Sequence, residues 1–205
     1  MAYQNERVKG NVAKLVADWG ETPLIECDVS SDDNVATAFE RLGSEFDQLD
    51  IIVHSIAFAN RDDLGGRFVD TEREGFRLAL DISAYSLVSV ARYGSPLMTD
   101  GGSILAMTFQ ASERVFPGYN VMGTAKAALE NAVQQLAAEY GGRNIRVNAI
   151  APEKTQSIQM WSEASVTDEQ RRQIPHWVPP VEMNASCTAW SVSPVAMPSI
   201  VRMAR

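Results

Sequence analysis

The chain has 205 residues and a formal net charge of −8, and 45% of its residues are hydrophobic. This composition is typical of a globular protein and excludes disorder along the whole chain. The acidic balance disfavours nucleic acid and membrane surfaces as partners. Two cysteines, Cys27 and Cys187, exclude a disulfide framework and favour a reducing cytoplasm, and no zinc-ligand spacing accompanies them. No apolar run reaches the roughly 20 residues that a membrane span requires.

Apolar residues recur along the chain with alternating strand and helix periods, which predicts a parallel α/β sheet flanked by helices. In chain order we predict an extended start and a helix within 3–19, a strand at 27–29, a helix capped by Asp32 or Asp33, a strand at 49–54, a helix at 71–93, a strand at 103–107, a helix at Asn120–Tyr140 and a strand at 145–150. The near-continuous apolar run at 49–54 predicts burial on both faces of that strand.

The composition changes near residue 151. All 13 glycines lie before that position, and the following segment is rich in proline and tryptophan. We therefore divide the chain into a reductase-like domain, residues 1–150, and a divergent tail, residues 151–205, in which only 166–173 has a helical pattern.

The clearest chemical constellation is Tyr119 with Lys126, seven residues later. At about 100° per residue this spacing places both side chains on one helical face, two turns apart. A nearby ammonium is expected to lower the pKa of the phenol, which can donate a hydrogen bond or a proton to a substrate oxygen. A tyrosine and a lysine at this spacing also occur by chance on exposed helix faces. The neighbouring sequence is therefore needed to distinguish a functional pair from a chance one.

Those surroundings resemble the NADH-dependent enoyl-acyl-carrier-protein reductases of the short-chain dehydrogenase/reductase superfamily. The resemblance covers about residues 2–150, and most other superfamily members place the tyrosine and lysine four apart. The matching blocks are residues 112–130, His54-Ser55-Ile56-Ala57-Phe58-Ala59, Asp81-Ile82-Ser83-Ala84-Tyr85-Ser86, Cys27-Asp28-Val29, Tyr3-Gln4-Asn5 and Arg146-Val147-Asn148-Ala149-Ile150.

The resemblance implies a Rossmann-like fold, NADH as cofactor and a role in fatty-acid biosynthesis. Hydride would add to the β-carbon of a trans-2-enoyl thioester carried by acyl-carrier protein, with Tyr119 stabilising the enolate and Lys126 gripping the nicotinamide ribose. The helices at 71–93 and Asn120–Tyr140 match those through which the family forms tetramers. The cofactor-binding positions would be Gln4, Asp28, Val29, Ser55, Ile56, Ala57 and Lys126, and the substrate-binding positions Ala57, Phe109, Tyr119 and Met122.

This sequence departs from the family in two places. The family's first strand, glycine-rich turn and helix have no counterpart, which predicts a gap in the sheet, because that strand lies between the second and the fourth. The residues after Ile150 differ from the family's cofactor-contacting loop. Two alternatives to an active enoyl reductase are therefore a catalytically impaired fragment that keeps the oligomerisation helices and another short-chain reductase acting on a ketone or alcohol.

Two isolated side chains have structural interpretations. Cys27 is expected to be a small buried residue rather than a reactive thiol, because no basic residue adjoins it. His54, at a strand end, is expected to be a hydrogen-bonded core residue rather than a base.

Phe109 stands where many family members carry a second tyrosine, so one polar contact to the thioester is lost while packing against the acyl chain is kept.

Overall fold

A computed structural model describes residues 1–151. These residues form five strands and five α-helices, with one helix between successive strands except for the two between the third and fourth strands. The strands are β1 Ala2–Tyr3, β2 Ile25–Glu26, β3 Ile51–His54, β4 Gly102–Met107 and β5 Ile145–Ile150, and the helices are α1 Glu6–Leu15, α2 Asp32–Glu45, α3 Arg73–Leu80, α4 Ser86–Gly94 and α5 Asn120–Tyr140. The predictions for 166–173 and for the rest of the tail lie outside the described residues.

All strand pairs are parallel, but they form two sheets. One sheet pairs β1 with β2, and the other has the order β3-β4-β5. Within residues 1–151 no strand joins the two sheets, so the predicted gap is present. The carboxyl ends of the strands still point the same way within each sheet, which sets the edge at which a ligand can bind.

One face of the β3-β4-β5 sheet carries the main core. Ile52, Ile104 and Val147 occupy the same register line and are buried against side chains from α2, α4 and α5. The alternate positions Ile51 and Val53 are only half-buried. The prediction that this strand is buried on both faces is therefore wrong for the described residues, because successive side chains alternate between a covered and a less covered face.

Two predicted boundaries also differ. The second strand is Ile25–Glu26 and not 27–29, because its pairing with the two-residue β1 stops before Cys27. The helix predicted at 71–93 is divided into α3 and α4 by a π-helical turn at Asp81–Tyr85. Such a turn holds one more residue than an α-helical turn, so it rotates the following helix relative to the preceding one.

Helix α2 is capped by Ser31, whose hydroxyl accepts a hydrogen bond from Asn34 N at 3.3 Å. The cap is thus one residue before the predicted Asp32. Asp32 instead joins α2 to the α4 region, accepting hydrogen bonds from Ser89 Oγ at 2.6 Å and Tyr85 Oη at 3.2 Å. Arg92 Nη1 lies 3.4 Å from the same carboxylate.

We expect Asp32→Ala to lower the free energy of unfolding by about 1–3 kcal/mol, because it leaves the buried Ser89 hydroxyl without its acceptor. Asp33→Ala is the matched control: its side chain is exposed on the same first turn, so both variants lose the same favourable interaction with the helix dipole. Urea unfolding at pH 7 measures the difference. Equal losses in the two variants would contradict the role of Asp32 as a link between helices.

Candidate functional site

The predicted site residues lie at the carboxyl edge of the sheets. Gln4 follows β1, Asp28 and Val29 follow β2, and 55–57 follow β3. Phe109 follows β4 by two residues. Parallel strands bring their carboxyl ends to one edge, where α/β proteins bind ligands. The structure therefore gathers these positions along the strand ends although they are spread over more than 100 residues of sequence.

Tyr119 is the residue immediately before α5 and not a member of the helix. Gly118, with φ 74°, turns the chain into this position, and Asn120 begins the helix with φ 24°. A positive φ is strained for a residue with a Cβ. The Asn120 side chain donates to Gly65 O at 2.8 Å and to Gly66 O at 3.3 Å, which ties the loop before α3 to the start of α5.

The Tyr119 ring packs against one aromatic ring, which in turn contacts another. The Phe109 ring lies 4.9 Å from the Tyr119 ring and 4.8 Å from the Phe116 ring, measured between centroids. Met122, one turn into α5, is buried, whereas Ala57 is exposed. Three of the four predicted substrate residues thus belong to one segment of the site.

The expected lowering of the Tyr119 pKa is wrong. Burial raises the pKa of this phenol, because water that would solvate the phenolate is excluded. The sequence argument considered only the nearby lysine, and sequence spacing carries no information about burial. A raised pKa keeps the hydroxyl protonated at neutral pH, as a hydrogen-bond donor.

Lys126 is buried, with 4% of its surface exposed. Its ammonium donates to Met107 O, the last carbonyl of β4, at 2.8 Å. Burial lowers the Lys126 pKa to about 8, and the Glu130 carboxylate acts in the opposite direction. The side chain is therefore predominantly an ammonium at pH 7, placed where β4 ends.

His54, the last residue of β3, is 1% exposed. Its Nε2 lies 2.7 Å from Ser86 Oγ, and the Ser86 hydroxyl donates to Ile82 O. Ser86 must therefore accept from Nε2–H, which leaves Nδ1 as an acceptor with no partner within residues 1–151. Burial and then the Lys126 charge lower the His54 pKa to about 4. The interpretation as a core residue is supported, with one ring nitrogen bonded.

His54 gives stability a defined pH dependence. Between its ordinary pKa of 6.5 and the folded value of about 4, the unfolded chain binds a proton that the folded chain does not, so stability falls as pH falls. We expect a loss of about 2 kcal/mol between pH 7 and pH 5 from this residue. Urea unfolding of the chain and of His54→Gln at both pH values measures it. Identical pH slopes would contradict the assignment.

The ends of β1 and β2 are joined by side chains. Asp28 accepts hydrogen bonds from Ser30 N at 3.0 Å and Ser30 Oγ at 2.7 Å. These bonds, with a further one from Gln4, lower the Asp28 pKa despite partial burial. Asp28 is therefore an anion next to Gln4. Burial and this anion raise the Cys27 pKa to about 11, which supports its interpretation as an unreactive thiol.

The segment after β3 is held by a serine that the sequence did not identify. Ser83 Oγ accepts from Phe58 N at 2.9 Å and donates to Phe58 O at 3.0 Å. This double contact fixes the backbone next to Ser55, Ile56 and Ala57. Ser83 and Ser86 are both fully buried, and their spacing of three within an apolar helical segment is a signal that could have found them.

Two features are absent from the described part of the chain. None of its helices is long and apolar enough to span a membrane. Within residues 1–151, no three His, Cys, Asp or Glu side chains come together as a metal-binding group.

Known proteins are similar to this chain in sequence and in architecture. Residues 1–189 match the family described as "Enoyl-(Acyl carrier protein) reductase", so the match extends beyond residue 150. The NADH-dependent enoyl-[acyl-carrier-protein] reductase FabI of Enterococcus faecalis is 49% identical over 149 residues, covering 73% of this chain and 59% of the relative. The enzyme named as NADPH-dependent FabI of Staphylococcus aureus is 48% identical over 151 residues, with the same two coverages.

Solved structures of the same family have a similar fold. The enoyl-(acyl-carrier-protein) reductase of Anaplasma phagocytophilum, in complex with NAD, superimposes with a TM-score of 0.73 at 42% identity, covering 75% of this chain and 59% of that one. The Aquifex aeolicus enoyl-[acyl-carrier-protein] reductase (NADH) gives a TM-score of 0.72 at 40% identity, covering 75% and 62%. The chain thus spans about three fifths of the length of its relatives. It belongs to the enoyl-[acyl-carrier-protein] reductase family.

Proposed function

We propose that the chain reduces a trans-2-enoyl thioester of acyl-carrier protein with NADH, as a step of fatty-acid biosynthesis. The observations that support this proposal are the buried Lys126 ammonium at the end of β4 and the Tyr119 ring, seven residues earlier in sequence, which packs against Phe109. The relatives, which are named as enoyl-[acyl-carrier-protein] reductases, support the same reaction.

In this reaction Tyr119 has the role of a hydrogen-bond donor to the thioester carbonyl oxygen. Negative charge grows on that oxygen when the double bond is reduced, and a fixed donor in a site that excludes water stabilises it. The raised pKa of Tyr119 keeps the required proton on the phenol. When bound, the dinucleotide would supply the hydride for the β-carbon, and Tyr119 would hold the enolate oxygen until the α-carbon takes a proton.

Lys126 would contact the ribose hydroxyls at the nicotinamide end of the cofactor. Its bond to Met107 O holds the ammonium at the end of β4. β4 pairs with β3, with Ala106 opposite His54, so Ser55 lies at the adjacent strand end. Ser55, Ile56 and Ala57 would then line the nicotinamide half, on the backbone that Ser83 fixes.

Gln4, Asp28 and Val29 would contact the adenosine half. Gln4 brings no positive charge, and the ionised Asp28 beside it would repel a 2′-phosphate. This arrangement supports NADH over NADPH. The residues present therefore fit the two ends of a dinucleotide, whereas the chain contains no glycine-rich strand-to-helix turn of the kind that binds pyrophosphate.

The thioester would lie against the Phe109, Tyr119 and Met122 segment, with Ala57 opposite. Phe109 offers packing without a hydroxyl, so Tyr119 would be the aromatic donor to the substrate. Acyl-carrier protein would present this substrate, in a cytoplasmic homo-oligomer that uses the α3–α4 and α5 helices, as a tetramer.

A second candidate is a catalytically impaired relative that keeps the oligomerisation helices. It is favoured by the division of the described strands into two sheets. This candidate predicts assembly without turnover.

Calorimetry with NADH separates the two candidates. Micromolar binding by the full chain, followed by NADH oxidation with a trans-2-enoyl thioester, is the result that the reductase predicts. Titration with NADPH is the control for the Asp28 argument and should give weaker binding. Absence of NADH binding would overturn the reductase proposal in favour of the second candidate.

A further inference from the structure

Two consecutive residues at the end of β4 are bonded to two successive turns of α5. Met107 O accepts from Lys126 Nζ at 2.8 Å, and Thr108 Oγ1 donates to Glu130 Oε1 at 2.5 Å. The Thr108 backbone is fixed as well, because its N–H donates to Ile150 O at 3.0 Å. Thr108 and Lys126 are 7% and 4% exposed. The Glu130 carboxylate is thus held by a rigid, buried donor.

Glu130 follows Lys126 by four residues on α5, so the two side chains lie on the same helical face. The other titratable groups that face Lys126 cannot supply a negative charge near pH 7. His54 is neutral, and Tyr119 keeps its proton. The charged residues of α3, together with Asp81, line a separate outer groove, and Arg146 of β5 is exposed.

We propose that Glu130 is a positioning residue for Lys126: anchored by the Thr108 hydroxyl, its carboxylate keeps the buried Lys126 side chain charged and directed at the end of β4. The inference deepens the proposed function, on which it rests for the task of Lys126 at the ribose. The electrostatic part has an independent basis, since Glu130 is the one group that opposes the loss of charge that burial of Lys126 favours.

A purely structural role of the Thr108–Glu130 bond would have different experimental consequences. If the Thr108–Glu130 bond only joined the helix to the sheet, its loss would change stability and leave the protonation of Lys126 unaltered. Glu130→Gln keeps an acceptor for Thr108 and removes the charge. Thr108→Val removes the anchor and keeps the charge. Glu139→Gln, on an exposed position of the same helix, is the matched control.

The test is an NMR titration of the full chain labelled with [ε-13C]lysine. The chain has four lysines, Lys9, Lys14, Lys126 and Lys154, and the Lys126 signal is assigned from its absence in Lys126→Met. We expect Glu130→Gln to lower the Lys126 titration midpoint by about one pH unit. Thr108→Val should lower it by a smaller amount, because an unanchored carboxylate is held less closely. Glu139→Gln should leave it unchanged.

An unchanged midpoint in folded Glu130→Gln would overturn the proposal. Should that variant not fold, an unchanged midpoint in Thr108→Val would overturn it equally. The pH profile of NADH oxidation adds a second readout, whose alkaline limb should move to lower pH in Glu130→Gln. A lowered midpoint in a chain without turnover would support the Glu130 role while contradicting the reductase, so the two failures are distinguishable.

Discussion

Tyr119→Phe is expected to lower the rate of NADH oxidation with an enoyl thioester by roughly 10²–10³-fold, the usual cost of removing one donor to a developing oxyanion. Affinity for NADH should stay nearly unchanged, because the phenylalanine keeps the packing against Phe109 and Lys126 keeps its bond to Met107 O. Steady-state kinetics and calorimetry on the same preparation measure the two effects separately.

Tyr85→Phe is the control for this experiment. It removes a phenolic hydroxyl that is bonded to Asp32, on the side of the α4 region that packs against α2. It should lower stability slightly and leave turnover within about twofold, since substitutions of exposed residues away from the candidate site have small effects. A loss of NADH affinity in Tyr119→Phe that matches its loss of turnover would contradict the role of the phenol as a donor to substrate.

Leu129→Ala is expected to have the largest effect on stability, a loss of about 3 kcal/mol in the free energy of unfolding. Leu129 has no exposed surface and is part of the core cluster between α5 and the β3-β4-β5 sheet. Removing its branched end leaves a cavity among neighbours that are themselves fixed in strands. Urea or thermal unfolding measures the loss.

Leu15→Ala is the matched control, because the same atoms are deleted from a side chain that is 71% exposed at the end of α1. Its effect should stay below about 0.5 kcal/mol. Similar losses in both leucine variants would mean that the core assigned to α5 does not carry the stability of the fold.

The bounds of α5 and β5 were predicted correctly because their signal is local. Burial of Val121, Ala125, Leu129 and Val133 follows the helical repeat, and a run of that length is unambiguous. The shift of the second strand to Ile25–Glu26 and the π-helical turn were not predictable in this way, since strand pairing and packing against distant segments decide them.

The site shows the same limit. Family motifs predict Tyr119 and Lys126 as site residues, but the direction of the Tyr119 pKa depends on burial, which spacing does not encode. Glu130 and Thr108 are 22 residues apart, so no local pattern connects them. Sequence therefore supplied candidate site residues, whereas their burial, their protonation and partners such as Glu130 and Thr108 required the structure.

The π-helical turn at Asp81–Tyr85 lets one segment of the chain contact both the loop after β3 and helix α2. Ser83 faces the backbone after β3, whereas Ser89, beyond the turn, faces Asp32 of α2. Rewinding the same five residues as a regular α-helix would rotate everything after them relative to α3. The extra residue in this turn thus allows Ser83 to hold the loop after β3 while Ser89 binds Asp32 of α2.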